Sequence, residues 1–415
     1  MYQAPRGTTD VLPEEQAYWR FVREKAVSIC QLYGYERIDG PVFEDTRLFT
    51  RSVGEGTDIV EKEMYTFADQ GGNKLTLRPE GTASVCRAYL EHGMQNLPQP
   101  VKLYYLASVF RYERPQAGRY REHHQFGCEA IGEADPALDA EVIDMAAGLF
   151  TSLGLEHISL HLNSIGDKNC RPGFLQVLRD YYAAHAEELC ADCRKRLERN
   201  PLRLLDCKQS ACQRLAGFAP RSVDYLCRDC AEHFERLKAY LGALEIPFVI
   251  NPRLVRGLDY YTRTVFEIQP EVEGAQSTLC GGGRYDGLIE ELGGKPAPAI
   301  GFAAGIERVV LNLKTYNVPV PPVPRPGVFI AWVGEASRTE AVRLAAELRR
   351  SGIGAFQGLG GRSLKAQLRQ ADALGVRHTV IIGEKEIAGG MAVIRDMATA
   401  EQRAVPREQL PGALR

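Results

Sequence analysis

The chain has 415 residues, 45% hydrophobic and 25% charged, a composition that excludes global intrinsic disorder and permits about two to four domains. Its 51 basic and 53 acidic side chains give a formal net charge of −2, so any surface that binds nucleic acid must be local. No run approaches the roughly 18 apolar residues of a membrane span, and residues 1–10 lack the apolar segment of a secretory signal. Eleven cysteines, an odd number, favour a reducing, cytoplasmic setting with free or metal-bound thiols.

The first part of the chain predicts a β-hairpin followed by a helix. Residues 101–112 are rich in aromatic and β-branched side chains and predict a strand, and residues 125–131 predict its antiparallel partner across a basic loop containing proline and glycine. Helical periodicity follows over 137–153, and alternation predicts another strand over 157–163. The sheet around the hairpin should therefore be antiparallel.

The sequence pattern changes in the middle of the chain. Helical periodicity dominates there, and seven of the eleven cysteines fall between Cys170 and Cys230. We interpret residues 170–250 as a helical domain inserted into a split domain made of residues 1–169 and 251–318.

Strand patterns resume after this insertion. Residues 264–268 and 277–280 predict strands, the glycines at 281–283 predict a turn, and residues 302–314 predict a helix. The proline-rich residues 319–326 predict a stiff, extended linker.

Residues 327–415 predict an independent unit. Strands at 327–333 and 378–383 alternate with helices at 336–350 and 363–374, so a mixed or parallel sheet covered by helices is expected. This segment carries 13 basic and 9 acidic side chains, which mildly favours a contact with a polyanion, and a solvated basic face explains the charge equally well.

The hairpin carries the first candidate site. Arg111 lies beside the basic loop, where its planar guanidinium could hold a phosphate. Even spacing along the return strand puts His123, Gln125 and Glu129 on one face, so an amide and a carboxylate would share that face. A surface hairpin with salt bridges is the alternative.

Two further motifs combine charged, hydroxyl and aromatic groups. Glu80 and Thr82 enter a predicted helix, where they could hold an ammonium group or only cap the helix. Arg256 precedes a glycine and then Tyr260 and Tyr261, which could form aromatic walls with polar tips or be ordinary core tyrosines.

A glycine-rich motif completes the set. Gly301 and Gly305 are one helical turn apart and predict close packing at a helix start, with Arg308 on the same stripe. Neither a GxGxxG following a strand nor a GxxxxGK[ST] occurs, so the sequence indicates neither a Rossmann dinucleotide site nor a P-loop.

These motifs resemble the signatures of class II aminoacyl-tRNA synthetases and, within that class, of bacterial-type histidyl-tRNA synthetases. Residues 110–114 resemble motif 2 of the class, residues 301–308 resemble motif 3, residues 254–262 and 77–82 resemble the histidine-specific signatures, and residues 5–13 are similar to the family's N-terminus. The resemblance runs essentially end to end. It implies an α+β catalytic domain with an antiparallel sheet flanked by helices, an inserted helical domain and a C-terminal α/β anticodon-binding domain.

The resemblance also implies a reaction and its participants. ATP and Mg²⁺ would activate L-histidine as histidyl-adenylate, the histidyl group would pass to tRNA(His), and the enzyme would be a homodimer. Catalytic roles are implied for Arg111 and Arg256. The implied histidine-binding residues are Glu80, Thr82, Arg111, Gln125, Glu129, Arg256, Tyr260 and Tyr261. The implied ATP-binding residues are Arg111, Glu113, Arg121, His123 and Arg308, and Gln116 and Arg119 would face the tRNA acceptor end.

One position departs from the family pattern. His123 stands where the family commonly has a phenylalanine that stacks on adenine. A histidine can also stack, and it could add a weak pH dependence to ATP affinity.

The cysteines suggest a second kind of site. Two CxxC pairs, Cys190 with Cys193 and Cys227 with Cys230, could supply four thiolates to a tetrahedral zinc ion. The gap between the pairs exceeds that of a compact zinc ribbon, the family resemblance does not require zinc, and reduced, partly buried thiols are the alternative.

Two other functions compete with the synthetase. A non-catalytic, histidine-sensing subunit of histidine biosynthesis resembles only the catalytic body, and it usually lacks the C-terminal tail and degrades the arginine motifs that are intact here. A tRNA-binding sensor would need fused signalling domains, for which the assigned segments leave no room.

Overall fold

The structure is a computed structural model that describes residues 2–54, 57–116, 118–271 and 278–414. The chain forms two compact units, residues 1–321 and 322–415, and each contains its own buried apolar cores. Within the described ranges, no helix combines the length and apolar character that crossing a membrane requires.

The first unit contains ten helices and eleven strands within the described ranges. The helices are α1 (Gln16–Leu32), α2 (Thr46–Val53), α3 (Thr82–Glu91), α4 (Pro136–Ser152), α5 (Arg171–Ala183), α6 (Ala191–Arg199), α7 (Ser210–Gly217), α8 (Arg228–Ala243), α9 (Leu288–Glu291) and α10 (Ile306–Thr315). The strands are β1 (Glu36–Arg37), β2 (Phe43–Asp45), β3 (Tyr65–Ala68), β4 (Lys74–Leu77), β5 (Val101–Phe110), β6 (Glu122–Ile131), β7 (Ile158–Ser164), β8 (Phe248–Ile250), β9 (Thr262–Pro270), β10 (Cys280–Arg284) and β11 (Ala299–Gly305).

An eight-stranded sheet organises this unit, in the order β1-β5-β6-β11-β10-β9-β7-β8. Its six central strands are antiparallel and its two edge strands pair in parallel, so the expected antiparallel hairpin is present as β5 and β6. Successive side chains of β5 enter different cores, because strand residues alternate between faces. Tyr104 packs in the core formed with α1, α4 and α10, whereas Leu103 and Tyr105 pack in the core formed with α3.

The predicted glycine turn is wrong, because Gly281–Gly283 lie inside β10 at the centre of the sheet. A Cβ on Gly282 would collide with the backbone oxygen of Gly301, so close packing against β11 requires the glycine there. The helix predicted from residue 302 also begins later, at Ile306, because residues 299–305 complete the sheet as β11.

The predicted insertion divides between two environments. Helices α5, α6 and α7 contribute to the core that contains α3. In contrast, Phe234, Leu237 and Leu241 of α8 pack into the core beneath α4, and β8 extends the main sheet beside β7. The segment predicted as an insertion therefore also includes α8 and β8, which pack with or extend the main sheet.

The second unit is a mixed sheet covered by helices, as predicted. Its strands are β12 (Val328–Val333), β13 (Ala355–Gln357), β14 (His378–Gly383), β15 (Met391–Asp396) and β16 (Gln402–Pro406), and its helices are α11 (Glu335–Arg350), α12 (Leu364–Ala373), α13 (Glu384–Ala388) and α14 (Leu410–Ala413). The strand order is β13-β12-β14-β15-β16, with β13, β12 and β14 parallel and the last two strands antiparallel.

Candidate active site

A cavity of about 720 Å³ lies on the central strands of the eight-stranded sheet. Strands β6, β9, β10 and β11 supply part of its lining, and the segments before α3 and β9 supply more. Twelve of the residues predicted for substrate binding line it: Glu80, Thr82, Arg111, Glu113, Arg119, His123, Gln125, Glu129, Arg256, Tyr260, Tyr261 and Arg308.

A buried carboxyl group lines the cavity. Glu129 is 1% exposed and accepts hydrogen bonds from Thr82 Oγ1 to its Oε1 at 2.7 Å and from the Tyr285 hydroxyl to its Oε2 at 2.6 Å. Burial raises the pKa of Glu129 to about 8. Gly301 permits this position, because a Cβ on that residue would overlap the carboxylate.

The neighbouring carboxylate has a structural partner of its own. Glu80 accepts backbone N–H groups of Thr82 and Ala83 at 2.7 and 2.8 Å and thereby caps α3. It is 3% exposed and lines the cavity, so capping and substrate contact are compatible. Nearby, the buried amide oxygen of Gln125 has no hydrogen-bond partner among the described residues, which leaves an acceptor available to a ligand.

Arginines form a positively charged region of the cavity. The Arg111 Nε donates to the Pro79 carbonyl at 2.8 Å, and Arg308 donates to the carbonyl of Gly118 at 3.1 Å and of Thr278 at 3.2 Å. Burial, with the charges of nearby arginines including Arg119, lowers the pKa of Arg308. An anion would relieve this mutual repulsion.

Arg256 is held over the central glycine strand. Its guanidinium pairs with Glu267, and it occupies the space that a Cβ on Gly281 would need. Glu267 also accepts from Gln269 at 2.8 Å and from Thr278 at 3.1 Å, so the carboxylate that orients Arg256 is itself fixed. Arg256 therefore presents its charge from a defined position.

Two predicted residues lie elsewhere in the structure. Arg121 stacks on the Tyr112 ring at 3.7 Å from the ring centre and donates to the Arg6 carbonyl, so it does not line the cavity. Gln116 pairs with Arg119 across a tight turn and is also outside the lining. Both residues belong to the predicted basic loop, but their local partners cannot be read from the sequence.

Two partners that define the site were not among the predicted residues. Tyr285 donates to Glu129, and Glu267 pairs with Arg256. The second follows from sheet pairing, because Glu267 lies opposite Gly281 in the register of β9 and β10. The predicted turn at 281–283 concealed that register.

The predicted four-cysteine grouping is wrong. Cys190 and Cys193 lie with Cys207 and Cys212, whereas Cys227 and Cys230 lie with Cys170 and Asp167. The two CxxC pairs belong to different clusters, because α6 and α8 pack against different parts of the unit.

Comparisons with known proteins agree along the whole chain. Residues 7–309 match the family model of histidyl-tRNA synthetase, and residues 327–415 match that of an anticodon-binding domain. A histidine–tRNA ligase of Dehalococcoides mccartyi is 62% identical over 410 residues, covering 99% of this chain and 98% of the relative. One from Desulforamulus reducens is 52% identical over 406 residues, covering 98% and 97% of the two chains.

Comparison with solved structures leads to the same family. The crystal structure of apo histidyl-tRNA synthetase from S. aureus matches with a TM-score of 0.84 and 39% identity over all of both chains. The large sheet with its flanking helices and the separate C-terminal unit are therefore those of a class II synthetase. The chain belongs to the histidyl-tRNA synthetase family.

Proposed function

We propose that this chain attaches histidine to tRNA(His) in two steps, forming histidyl-adenylate from histidine and ATP and then acylating the tRNA. The observation that carries the proposal is the single cavity that joins a buried carboxyl group, Glu129, to a group of arginines. That combination fits a substrate with an imidazole at one end and a reacting carboxylate and phosphates at the other. We also propose a cytoplasmic homodimer.

The imidazole would bind at Glu129. Neutral imidazole offers one N–H donor and one acceptor nitrogen, which Glu129 and the Tyr261 hydroxyl can match. Thr82 and Tyr285 hold the Glu129 carboxyl group in place. An apolar side chain of the same size would leave these buried groups unpaired, so the site would reject it.

The α-ammonium group would bind beside the start of α3. Glu80 offers a carboxylate, Thr82 a hydroxyl, and Gln125 the amide oxygen that lacks a partner among the described residues. Tyr260 would form an adjoining wall, because it is 5% exposed and its ring centre lies 4.7 Å from that of Tyr261.

The arginines would stabilise the phosphoryl-transfer transition state. The histidine carboxylate attacks the α-phosphorus, the new P–O bond gives the adenylate, and the bond to pyrophosphate breaks. Arg111 and Arg256 would contact the α-phosphate and the attacking carboxylate, and Arg308 would contact the outer phosphates. Fixed positive groups lower the barrier because they need not reorient as charge develops.

Mg²⁺ would accompany ATP, and the carboxylates beside the arginines fit such an ion. Glu113 pairs with Arg119 at 2.5 Å, and Glu267 pairs with Arg256. Carboxylate and phosphate oxygens are the ligands that Mg²⁺ prefers, and the bound ion would neutralise part of the phosphate charge. His123 would stack on adenine.

The tRNA would reach the cavity along the loop that joins β5 and β6. Arg119 lines the cavity, and Gln116 lies next to it outside the lining. The unit formed by residues 322–415 would bind the anticodon, with arginines positioning the phosphates and other side chains contacting bases. The regulatory alternative is not favoured, because the anticodon-binding domain is present and the arginines converge in one cavity.

Amino-acid-dependent ATP–pyrophosphate exchange tests the proposal without tRNA. We expect exchange with histidine and with none of the other nineteen amino acids. Histidine binding without exchange would favour the regulatory function, and exchange with another amino acid would contradict the assignment of Glu129 and Tyr261.

Histidine binding should depend on pH in a characteristic way. The raised pKa of Glu129, about 8, leaves its carboxyl neutral at pH 7 in the empty site, and a histidine side chain in water has a pKa of about 6.5. Between about pH 6.5 and 8, a neutral imidazole binds to a protonated Glu129, and the complex holds one proton on this pair of groups, whichever of the two carries it. Binding in this pH range therefore neither takes up nor releases a proton. The KM for histidine should be lowest there and rise up to about tenfold per pH unit beyond either limit.

A Glu129→Gln variant provides the matched control. Its amide cannot ionise, so the rise that begins near pH 8 should disappear, while KM at pH 7 should increase about 10- to 100-fold from the weakened hydrogen bond. Exchange kinetics from pH 5.5 to 9 measure both effects. A wild-type KM that stays constant above pH 8, or a variant that retains the rise, would contradict this role.

ATP binding should not show a histidine titration. Burial, and then the charges of Arg111 and Arg308, lower the pKa of His123 to about 3, so its ring stays neutral at physiological pH. The weak pH dependence considered from the sequence is therefore not expected. The ratio of ATP KM values for wild type and His123→Phe should be constant between pH 5.5 and 8, and a ratio that changes with a midpoint near 6.5 would show that the ring titrates.

A further inference from the structure

Four cysteines of the α6–α7 region converge although three separate segments carry them. Cys190 immediately precedes α6, Cys193 lies in its first turn, Cys207 follows the turn after α6, and Cys212 lies in α7. Their sulfur atoms all lie within 4.8 Å of one another. We propose that this cluster binds a structural zinc ion through four thiolates: Cys190, Cys193, Cys207 and Cys212.

The sulfur spacing fits tetrahedral coordination. Zinc–sulfur bonds of about 2.3 Å place the corners of a tetrahedron about 3.8 Å apart. The Sγ atoms of Cys190 and Cys207 lie 4.0 Å apart, so a small contraction would bring them to that distance. A disulfide requires about 2.05 Å, roughly half this separation.

The backbone around the cluster is arranged as in thiolate sites. The N–H of Cys193 donates to the Cys190 sulfur at 3.4 Å, and the N–H of Cys190 donates to the Cys212 sulfur at 3.4 Å. Hydrogen bonds of this kind stabilise a metal-bound thiolate and fix its direction. Two of the four sulfur positions therefore already have such support.

Burial within α6 itself rests on a cysteine. Among the residues of α6, all of which are described, Cys193 is the one that is buried. Cys212 is likewise fully buried, beside Leu215. A nine-residue helix with so little apolar contact needs a further cross-link, which a metal ion supplies in many small domains.

The other cysteine cluster differs in its local partners. Asp167 accepts the N–H of Asn169 at 2.9 Å and pairs with Arg263 at 3.5 Å, so its carboxylate already has a cationic partner. Cys170 Sγ donates to the same carboxylate at 3.6 Å. This cluster is satisfied by hydrogen bonds and an ion pair, and it provides the matched control for the first one.

The zinc ion would hold one wall of the active-site cavity. Arg196 of α6 pairs with Asp58 at 2.7 Å, and Arg203 and Lys208, which follow α6, also line the cavity. All three residues lie between Cys193 and Cys212 along the chain. Loss of the metal should therefore free this segment while leaving the eight-stranded sheet folded.

Metal analysis of the full chain, purified under reducing conditions without chelator, tests the proposal. We expect zinc in the wild type and in Cys227→Ser/Cys230→Ser, and a loss of about one zinc per chain in Cys193→Ser/Cys212→Ser. X-ray absorption at the zinc edge of the control variant should show four sulfur atoms at about 2.3 Å. Limited proteolysis of the metal-depleted chain should cut first between residues 190 and 217.

Several results would overturn the proposal. They are less than about 0.1 zinc per chain in the wild type, equal zinc in Cys193→Ser/Cys212→Ser, iron in place of zinc, or a zinc shell of nitrogen and oxygen. The absorption measurement uses a chain whose four ligands are intact, so misfolding of the ligand variants cannot decide the outcome. The metal test is independent of aminoacylation, so either proposal can fail alone.

Discussion

Replacing Arg256 by alanine should lower histidine-dependent ATP–pyrophosphate exchange about 100- to 1000-fold, mainly through kcat. The guanidinium is fixed by Glu267 and lines the cavity above Gly281 of β10. A positive group held in this way contributes most when negative charge develops on the transferring phosphoryl group. Binding of histidine to the enzyme alone, measured calorimetrically, should weaken much less than the exchange rate.

A Gly281→Ala variant distinguishes the position of Arg256 from its charge. An alanine Cβ there would overlap the Arg256 guanidinium, and this guanidinium supplies the three nearest atoms. The flexible end of the Arg256 side chain can move away, so the fold should survive. Arg256 would keep its charge but lose its position. We expect an intermediate fall in kcat, about 10-fold or more.

Arg47→Ala is the control for charge alone. Arg47 is 85% exposed and pairs with Asp45 at 2.6 Å beside the start of α2, away from the cavity lining. Exchange should be unchanged in this variant. If Arg256→Ala also retained more than about one tenth of the wild-type rate, the proposed transition-state role of Arg256 would be wrong.

The hairpin shows what the sequence could predict about the site. Alternation in the return strand placed His123, Gln125 and Glu129 on one face, and all three line the cavity. The prediction succeeded because both strands are long, central and rich in strand-forming residues, so local pattern and tertiary pairing agree.

The glycines and cysteines show where sequence patterns are insufficient. Three successive glycines are typical of a turn, but those at 281–283 lie in a central strand. Glycine is needed there because Arg256 and the backbones of β11 and β9 occupy the space of the missing side chains. The CxxC spacing indicates which thiols are adjacent along the chain. It does not indicate that Cys207 and Cys212 return to the first pair. Both errors concern contacts between distant segments, which no local pattern specifies.

Removing the charge of Arg284 should destabilise the first unit by about 3–5 kcal/mol, the cost of leaving a buried charge without its partner. Arg284 is fully buried at the end of β10, where its Nε donates to Asp139 at 2.6 Å and its Nη1 pairs with Asp286 at 3.1 Å. Its two terminal nitrogens also donate to the carbonyls of Glu133 and Asp135. In Arg284→Met, the partners left to the Asp139 carboxylate among the described residues are His233 of α8 and Thr264 of β9. The next residue, Tyr285, positions Glu129, so histidine KM should rise as well.

The loss of stability can be measured by urea unfolding, followed by tryptophan fluorescence, with Arg284→Met introduced into a Trp332→Phe background. The chain has two tryptophans, and the remaining one, Trp19, is buried in the core of the first unit and reports on that unit. The control is Arg228→Ala, whose 87% exposed side chain pairs with a glutamate one turn away and should contribute no more than about 0.5 kcal/mol. Asp139→Asn combined with Arg284→Met should be less destabilised than the sum of the single variants, because the neutral amide no longer needs the cation. Additive effects would instead show that the pair with Asp139 contributes nothing and that Arg284 stabilises the unit through its packing, its backbone carbonyl contacts and its pair with Asp286.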